Sequence, residues 1–312
     1  RKLHTKAGAA VYTDDLAFPR MLHAKILRSP HAHARIKSID LAKALAHPGV
    51  VAGCTGKDMP VPYGIIPWTR DEYALGLDKV AYVGDAVACL AATDERTAAE
   101  ALALIEVEYE VLPTVLTIED ALAHDDEPHQ VNPFAKKGNV SKHVGLTFGD
   151  VDGALAGSDV TIEETFEYAG STHVPIEPHC AIGVPELNGV ITVYSSTQVP
   201  HYLHRELARV LEMPADRIRV IQPTVGGGFG GKSEPFDLEF CVAWLARATG
   251  RPVKLLYTRE EVFYAHRGRH PMRLTYKAGV SKDGALTGVK SKIHIDGGAY
   301  SSFGLVTTYY SG

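Results

Sequence analysis

One segment constrains this chain more than any other: between Gly226 and Gly231, five glycines surround a single phenylalanine, Phe229. A predicted strand at 217–221 precedes the segment, and a predicted helix at 234–248 follows it. Without a Cβ atom, the glycine backbone takes positive φ readily and can approach a ligand closely. A tight turn needs only one or two glycines. The segment, called the glycine loop below, therefore predicts contact with a ligand, with Phe229 as an apolar wall.

Composition narrows the class of protein. With 312 residues the chain is long enough for two compact units, and 45% apolar against 22% charged residues is ordinary globular composition. Disorder, collagen and coiled coil are thereby excluded as its main description. The net charge of −5 weighs against a nucleic-acid binder. No apolar run reaches the roughly 20 residues of a membrane-spanning helix, so no membrane span is expected.

The pattern of apolar residues predicts an α+β fold in two parts. Residues 1–120 alternate short strands with short helices, and residues 121–147 are polar, broken by Pro and Gly, and typical of a linker. In 148–312, strands are predicted at 160–168, 181–185, 190–195, 217–221, 253–257, 272–279 and 289–295, and helices at 201–211 and 234–248. The strand-like end of the sequence predicts no closing helix. We expect a processed or split subunit, or an incomplete piece.

The glycine loop also matches two phosphate-binding patterns. G-x-x-x-x-G-K-[ST] occurs at Gly226, Gly231, Lys232 and Ser233, and G-x-G-x-x-G occurs at Gly226, Gly228 and Gly231. A P-loop sits in a parallel sheet with an acidic Mg²⁺ ligand on a later strand, whereas the strands here alternate as antiparallel strands do. The dinucleotide pattern lacks an acidic residue at the end of a second strand about 20 residues further on. Nucleotide binding is therefore a lesser alternative.

Other polar residues offer further candidates. Gln198 lies between a predicted strand and a predicted helix, where its amide could donate to an oxo or carbonyl ligand atom or cap the helix. The local sequence leaves both roles open. Metal binding is one interpretation of two further groups, although structural roles are favoured; the groups are His31 with His33, and His173, Glu177, His179 with Cys180. A basic turn at 266–271 could equally meet a phosphate or be solvated.

The cysteines are spaced too widely for a metal or cluster motif. Without a CxxC pair, a zinc ribbon or a cysteine-held iron–sulfur cluster within this chain is not expected. Their apolar surroundings predict reduced core residues of a cytoplasmic protein. They are Cys54, Cys89, Cys180 and Cys241.

Taken in order, these segments resemble the molybdenum-binding subunit of the xanthine dehydrogenase/aldehyde oxidase family, the molybdenum hydroxylases. The resemblance to that family's hammerhead domain is carried by MLHAKILRSPHAHARI (21–36), YVGDAVA (82–88) and VEYEVLP (107–113). The resemblance to the first half of its molybdopterin-binding domain is carried by IEPH (176–179), STQ (196–198), GGGFGGK (226–232) and GRHP (268–271). The implied fold is an α+β hammerhead domain over 1–120 and an incomplete molybdopterin-binding domain over 148–312.

The resemblance implies a molybdopterin-type molybdenum cofactor. Gln198 would donate to an oxo ligand of the metal, and Phe229 and Gly230 would lie against the metal's ligands. The backbone N–H of Gly230 would stabilise the oxo ligand. Gln198 and Phe229 are thus the expected catalytic residues, and no side chain is expected to bind a metal directly. The expected cofactor contacts are Gln198, Gly227, Gly228, Phe229, Gly230 and Gly231.

Partners are implied as well. In this family two electrons leave through iron–sulfur clusters and FAD, which are expected on an iron–sulfur subunit and a FAD-binding subunit of a cytoplasmic complex. The C-terminal half of the molybdopterin-binding domain, which carries a glutamate general base, has no counterpart in this sequence. The chain is therefore expected to be inactive until that half is supplied.

The substrate is less constrained. Segments 61–67, 148–151, 265–269 and 297–300 look closest to the 4-hydroxybenzoyl-CoA reductase branch, which removes a phenolic hydroxyl. Ser233 departs from the acid that several relatives carry after the loop lysine, and that branch can carry Ala-Arg at 231–232. The resemblance implies a small aromatic, heteroaromatic or aldehyde substrate with water-derived oxygen, or a hydroxybenzoyl-CoA. The alternatives are a purine or aldehyde dehydrogenase subunit and an inactive interaction fragment.

Overall fold

The computed structural model describes residues 8–123, 138–265 and 267–311. Contacts between residues divide the chain into two compact units. The first unit is formed by Arg1–Thr114 with Thr172–Arg267, and the second by Val115–Ser171 with Gly268–Gly312.

The described residues form short strands and helices. The strands are β1 (Leu22–Arg28), β2 (Ala34–Asp40), β3 (Val50–Thr55), β4 (Lys79–Val80), β5 (Ala86–Ala92), β6 (Glu106–Val111), β7 (Val160–Tyr168), β8 (Ser171–Thr172), β9 (Cys180–Pro185), β10 (Ile191–Ser195), β11 (Ile218–Ile221), β12 (Val253–Leu256), β13 (Gly268–Arg269), β14 (Met272–Val280) and β15 (Leu286–Ile295). The α-helices are α1 (Ala42–Leu45), α2 (Glu95–Leu102), α3 (Ile118–Ala123), α4 (Val151–Ala156), α5 (Pro200–Val210), α6 (Asp237–Thr249), α7 (Arg259–Tyr264) and α8 (Gly304–Ser311).

A seven-stranded mixed sheet lies at the centre of the first unit, in the order β11-β10-β9-β12-β1-β5-β3. β10 is parallel to β11, and β1 is parallel to β12, whereas β9 is antiparallel to both β10 and β12. The predicted antiparallel arrangement before the glycine loop is therefore wrong for β10 and β11. Helix α5 connects these two strands, and a helical crossover of this kind returns the chain to a parallel neighbour.

Helix α6 packs against this sheet with most of its residues buried, as its apolar sequence requires. It passes so close to β9 that a Cβ atom at Gly183 would lie 2.3 Å from the carbonyl oxygen of Val242. Glycine at this strand position lets the helix backbone lie directly on the sheet. The largest fully buried side chains of the helix are Leu238, Phe240 and Leu245.

A second sheet of the first unit has the order β4-β2-β6 and is antiparallel. Along β6, Val107 and Tyr109 pack towards a small apolar cluster that includes Ala34, Val80 and Val87. The intervening acidic residues are exposed; they are Glu106, Glu108 and Glu110. The strict alternation of the sequence thus corresponds to a strand with one half-buried and one solvated side.

The second unit contains a three-stranded antiparallel sheet in the order β15-β14-β7. Ion pairs join its strands, with Arg273 at 2.7 Å from Glu167 and Lys277 at 3.3 Å from Glu163. Helix α4 begins where the Asp150 carboxylate accepts the N–H of Gly153, an N-terminal cap.

Most predicted elements of the region 148–312 are confirmed within a few residues, and β7 matches its prediction at both ends. Two expectations are wrong. The helix predicted from 234 begins at Asp237, and the end of the chain forms helix α8. In α8 the hydroxyls of Thr307 and Thr308 donate to the carbonyl oxygens of Phe303 and Gly304, so these hydroxyl groups are paired within the helix. The predicted domain boundaries stay a prediction, and 124–137 of the predicted linker lie outside the described residues.

All four cysteines are free and buried, as predicted. Cys54 and Cys89 are opposite each other in β3 and β5, and with Cys241 of α6 their sulfurs lie within 4.8 Å of one another. Hydrogen bonds from the thiols of Cys241 and Cys89 lower the pKa of Cys54 to about 6. The three belong to the apolar core of the first unit. In the described part of the chain, no helix is long and apolar enough to cross a membrane.

Candidate cofactor site

The chain topology brings Gln198 and the glycine loop together. Gln198 follows β10, the loop follows β11, and the two strands are parallel neighbours. The carboxyl ends of parallel strands meet at one edge of a sheet, which is where α/β proteins hold ligands. A strand–helix–strand unit therefore places the predicted amide beside the predicted loop.

Gln198 lies directly on the loop. Its Oε1 accepts the backbone N–H groups of Gly230 and Lys232, each at 3.1 Å, and its backbone N–H donates to the Lys232 carbonyl at 2.8 Å. Two N–H donors require an acceptor, so they fix which end of the amide faces the loop. Gln198 is exposed, and no described hydrogen bond uses its Nε2. The site thus presents an oriented N–H donor.

Two expectations about these groups change. The Gly230 N–H was expected to donate to a ligand oxygen, but in the structure it donates to Gln198. Gln198 does not cap helix α5, whose N-cap residue, Val199, has no side-chain cap. The Gln198 oxygen occupies the position in front of the Gly230 N–H, so that N–H is not available to a ligand in this structure.

Phe229 combines two features that neither packing nor backbone preference explains. Its φ is 54°, in the left-handed region that non-glycine residues rarely adopt, and its relative exposure is 74%. A large apolar side chain in solvent at a strained position gains little from burial. Strain of this kind collects at ligand sites, which favours the prediction that Phe229 is a wall of the site.

The glycines of the loop are required by its neighbours. A Cβ atom at Gly228 would lie 2.4 Å from Gln198 Oε1, so only glycine lets the amide pack on the loop. A Cβ atom at Gly231 would lie 2.9 Å from His173 Nδ1. Gly227 and Gly230 have φ of 105° and 96°. The cofactor contacts predicted for these residues remain a prediction, but the loop has the bare, fixed backbone that such contacts need.

A buried ion pair, which the sequence did not reveal, lies beneath the loop. Lys232 Nζ is 2.8 Å from Glu177 Oε2, and the two side chains are 1% and 9% exposed. Burial lowers the pKa of Lys232, and the Glu177 carboxylate opposes that shift. In the sequence, the only sign of this pair is the lysine directly after the glycines, and that lysine also belongs to the P-loop pattern.

The contacts of the loop weigh against phosphate binding. Besides the two N–H groups held by Gln198, the Gly231 and Ser233 N–H groups donate to loop carbonyls. Lys232 is neutralised by Glu177, and the first turn of α6 carries two buried acidic side chains, Asp237 and Glu239. A phosphate needs free N–H donors and a positive helix end. The N–H groups of residues 230–233 and the Lys232 side chain are therefore already engaged within the protein, which weighs against both phosphate-binding patterns.

The histidine groups have structural partners. His33 Nδ1 lies 2.7 Å from the Pro113 carbonyl oxygen, and the ring of His31 packs on Tyr109. His173 Nδ1 lies 3.2 Å from the Arg267 carbonyl oxygen, and His179 Nε2 lies 3.2 Å from that of Gly231. Among the described residues, neither group gathers its side chains as metal ligands.

Arg267 of the basic turn is likewise paired within the protein. Arg267 contacts Glu72 and lies 3.4 Å from Glu234, and both carboxylates are buried. Its charge is thereby compensated and is not offered to a phosphate. His266, the first residue of the predicted turn, lies outside the described residues.

Comparisons with known proteins match both parts of the chain. Residues 7–113 match the family described as aldehyde oxidase and xanthine dehydrogenase, a/b hammerhead domain. Residues 131–312 match the molybdopterin cofactor-binding domain.

Among curated relatives, the nicotinate dehydrogenase large molybdopterin subunit of Eubacterium barkeri is 39% identical over 299 residues, covering 95% of this chain and 68% of that protein. The xanthine dehydrogenase molybdenum-binding subunit of Escherichia coli O157:H7 is 35% identical over 307 residues, covering 95% of this chain and 40% of that protein. The chain therefore spans two thirds of the first relative and much less of the second.

Solved structures show the same fold. The aldehyde oxidoreductase of Desulfovibrio gigas has a TM-score of 0.89 at 29% identity, covering 99% of this chain and 35% of that one. The quinoline 2-oxidoreductase of Pseudomonas putida 86 has a TM-score of 0.88 at 31% identity, covering 96% of this chain and 39% of that one.

Proposed function

The chain belongs to the xanthine dehydrogenase/aldehyde oxidase family of molybdopterin-binding oxidoreductase subunits, and from that membership we propose that its glycine loop and Gln198 form one wall of a molybdenum-cofactor site. The site would act on a small aromatic, heteroaromatic or aldehyde compound.

One observation carries the proposal. Gln198 is held by two backbone donors so that its Oε1 faces the loop, which leaves an exposed Nε2 to donate to an acceptor. An oxygen ligand of a metal is such an acceptor. The residues therefore fit the cofactor: a neutral donor, an aromatic wall at Phe229 and a backbone without side chains.

The roles of this chain's residues follow from their chemistry. When bound, the cofactor would supply the centre that exchanges two electrons with the substrate. Gln198 would hold an oxygen ligand in place through an N–H donor that carries no charge and needs no reorganisation. Phe229 would restrict where an aromatic substrate can lie, and the glycines would let the cofactor approach the backbone.

The substrate class rests on the relatives. Nicotinate, xanthine and quinoline appear in the names of similar proteins, and all are nitrogen heterocycles with an electron-poor carbon. We therefore favour oxidation of a heteroaromatic compound with oxygen from water. The segments similar to 4-hydroxybenzoyl-CoA reductase support one alternative, the reductive removal of a phenolic hydroxyl. A second alternative is the dehydrogenation of a purine or an aldehyde.

Further protein is proposed to complete the site. The chain spans 40% of the Escherichia coli relative and 35% of the Desulfovibrio gigas enzyme. We propose that the remaining part of the molybdopterin-binding domain, an iron–sulfur subunit and a FAD-binding subunit assemble with it. The four free cysteines support a cytoplasmic location.

Replacing Gln198 tests the site. In the assembled enzyme, Gln198→Ala should lower kcat by about 10²- to 10³-fold, as loss of one preorganised donor does. Gln198→Glu is the sharper variant, because a carboxylate still accepts the two loop N–H groups but no longer donates. We expect it to retain molybdenum and pterin, measured by mass spectrometry and pterin fluorescence, and to lose turnover. Wild-type turnover in both variants would remove Gln198 from the site.

A further inference from the structure

We propose that Glu177 and Lys232 are positioning residues: their buried ion pair closes the glycine loop at both ends and thereby holds the Gln198 amide in its donating orientation. This inference rests on the proposed role of Gln198. It assigns a purpose to the one buried ion pair that lies directly under the loop among the described residues.

A single carboxylate oxygen holds both ends of the loop. Glu177 Oε2 accepts the N–H of Gly226, the first loop glycine, at 2.7 Å. The same atom accepts from Lys232 Nζ at 2.8 Å, beyond the last glycine. The Glu177 N–H in turn donates to the Gly226 carbonyl at 3.2 Å. The ends of a flexible five-glycine segment are therefore fixed by one residue from outside it.

Lys232 transmits this restraint to Gln198. Its side chain is bound to Glu177, while its backbone N–H donates to Gln198 Oε1 and its carbonyl accepts the Gln198 backbone N–H. Side chain and backbone of the same residue thus connect the ion pair to the amide. Any shift of Lys232 towards solvent would remove one of the two donors that orient Gln198.

The pair is poorly suited to stabilising the fold. Removing two charges from water is costly, and buried ion pairs are often no better than apolar residues of the same size. Glu177 Oε1 is buried without a partner among the described residues, a further cost. The ion pair adds little stability to the fold, but it fixes both ends of the loop and the Gln198 amide. A positioning role therefore explains why two charged side chains are buried here.

A double variant separates positioning from stability. Glu177→Gln with Lys232→Met removes both charges together, so no unpaired charge is buried, and the midpoint of unfolding should stay near that of the wild type. Each single substitution should be less stable. Glu206→Gln is the matched control, because Glu206 is a fully buried partner of Arg70 and Arg205 in the same unit and does not contact the loop.

The readouts are hydrogen exchange and steady-state kinetics on the assembled enzyme. In the double variant, amide exchange in peptides covering 224–235 should rise at least about tenfold, because the loop opens locally. kcat should fall while KM stays within about twofold, since transition-state contacts are lost and substrate binding is not. Glu206→Gln should leave loop exchange unchanged.

Wild-type exchange in the loop of the double variant would overturn the proposal, whatever its turnover. Faster exchange with wild-type kcat would also overturn it, unless Gln198→Ala keeps wild-type kcat as well. If Gln198→Ala also keeps wild-type kcat, the ion pair still holds the loop but the proposed role of Gln198 is wrong. The failure of this inference and the failure of the proposed function are thereby distinguished.

Discussion

Glu239 is the residue through which pH should act most directly on the fold beside the site. It lies in the first turn of α6, and burial raises the pKa of its carboxyl to about 8. Donation from the Ser195 hydroxyl at 2.8 Å and the Phe236 N–H at 2.7 Å opposes that shift. Ser195 ends β10, three residues before Gln198, so the carboxyl supports the edge on which the site is built.

The pH dependence has a definite sign. The folded protein keeps a proton on Glu239 that the unfolded chain releases near pH 4.3, so the unfolding free energy falls as pH rises from that value to about 8. The slope from this group is at most about 1.4 kcal/mol per pH unit. Glu239→Gln should flatten the dependence between about pH 5 and pH 8. Guanidinium unfolding of both proteins measures it, and parallel curves would contradict the assignment.

Individual residues were predictable where chemistry is local. Gln198 and the glycines stand out because an amide between a strand and a helix, and five glycines together, need an explanation. Glu177 and Lys232 did not stand out as a pair, since 55 positions separate them and only the fold brings them together. The strain at Phe229 is likewise a property of the folded backbone.

At the level of elements, the approach of α6 to β9 sets a strict limit on side-chain size. Gly183→Ala should destabilise the protein by about 2–3 kcal/mol, since a methyl group has no room beside the Val242 carbonyl. Gly157→Ala is the control, because its Cβ atom would meet only ordinary contacts, the nearest at 3.5 Å. It should change the unfolding free energy by less than about 0.5 kcal/mol. Equal effects in a denaturant titration would show that the two elements are less closely packed.

The elements themselves follow from periodicity, but their pairing does not. The alternation of 160–168 predicts β7 completely, while nothing local in β10 or β11 shows that the two are parallel. That relation depends on α5 crossing between them. This parallel pairing places Gln198 beside the glycine loop. The residues of the site could therefore be predicted from the sequence, but their spatial arrangement could not.

The whole molecule joins what the sequence suggested were successive parts. β1, from the hammerhead-like region, pairs in parallel with β12, from the molybdopterin-binding region, within a single seven-stranded sheet. The first compact unit consequently contains residues from both of these regions. A change of composition along the sequence can mark a linker, but it does not show which segments pack together. Long-range strand pairing of this kind leaves no local signal.

A crystal structure of the assembled, cofactor-loaded enzyme tests the central claim most directly. The quantity to measure is the distance from Gln198 Nε2 to the nearest oxygen ligand of the molybdenum. We predict a hydrogen bond of about 3 Å, with the glycine loop and Phe229 facing the cofactor. A cofactor bound elsewhere, with Gln198 more than about 6 Å from every metal ligand, would contradict the account.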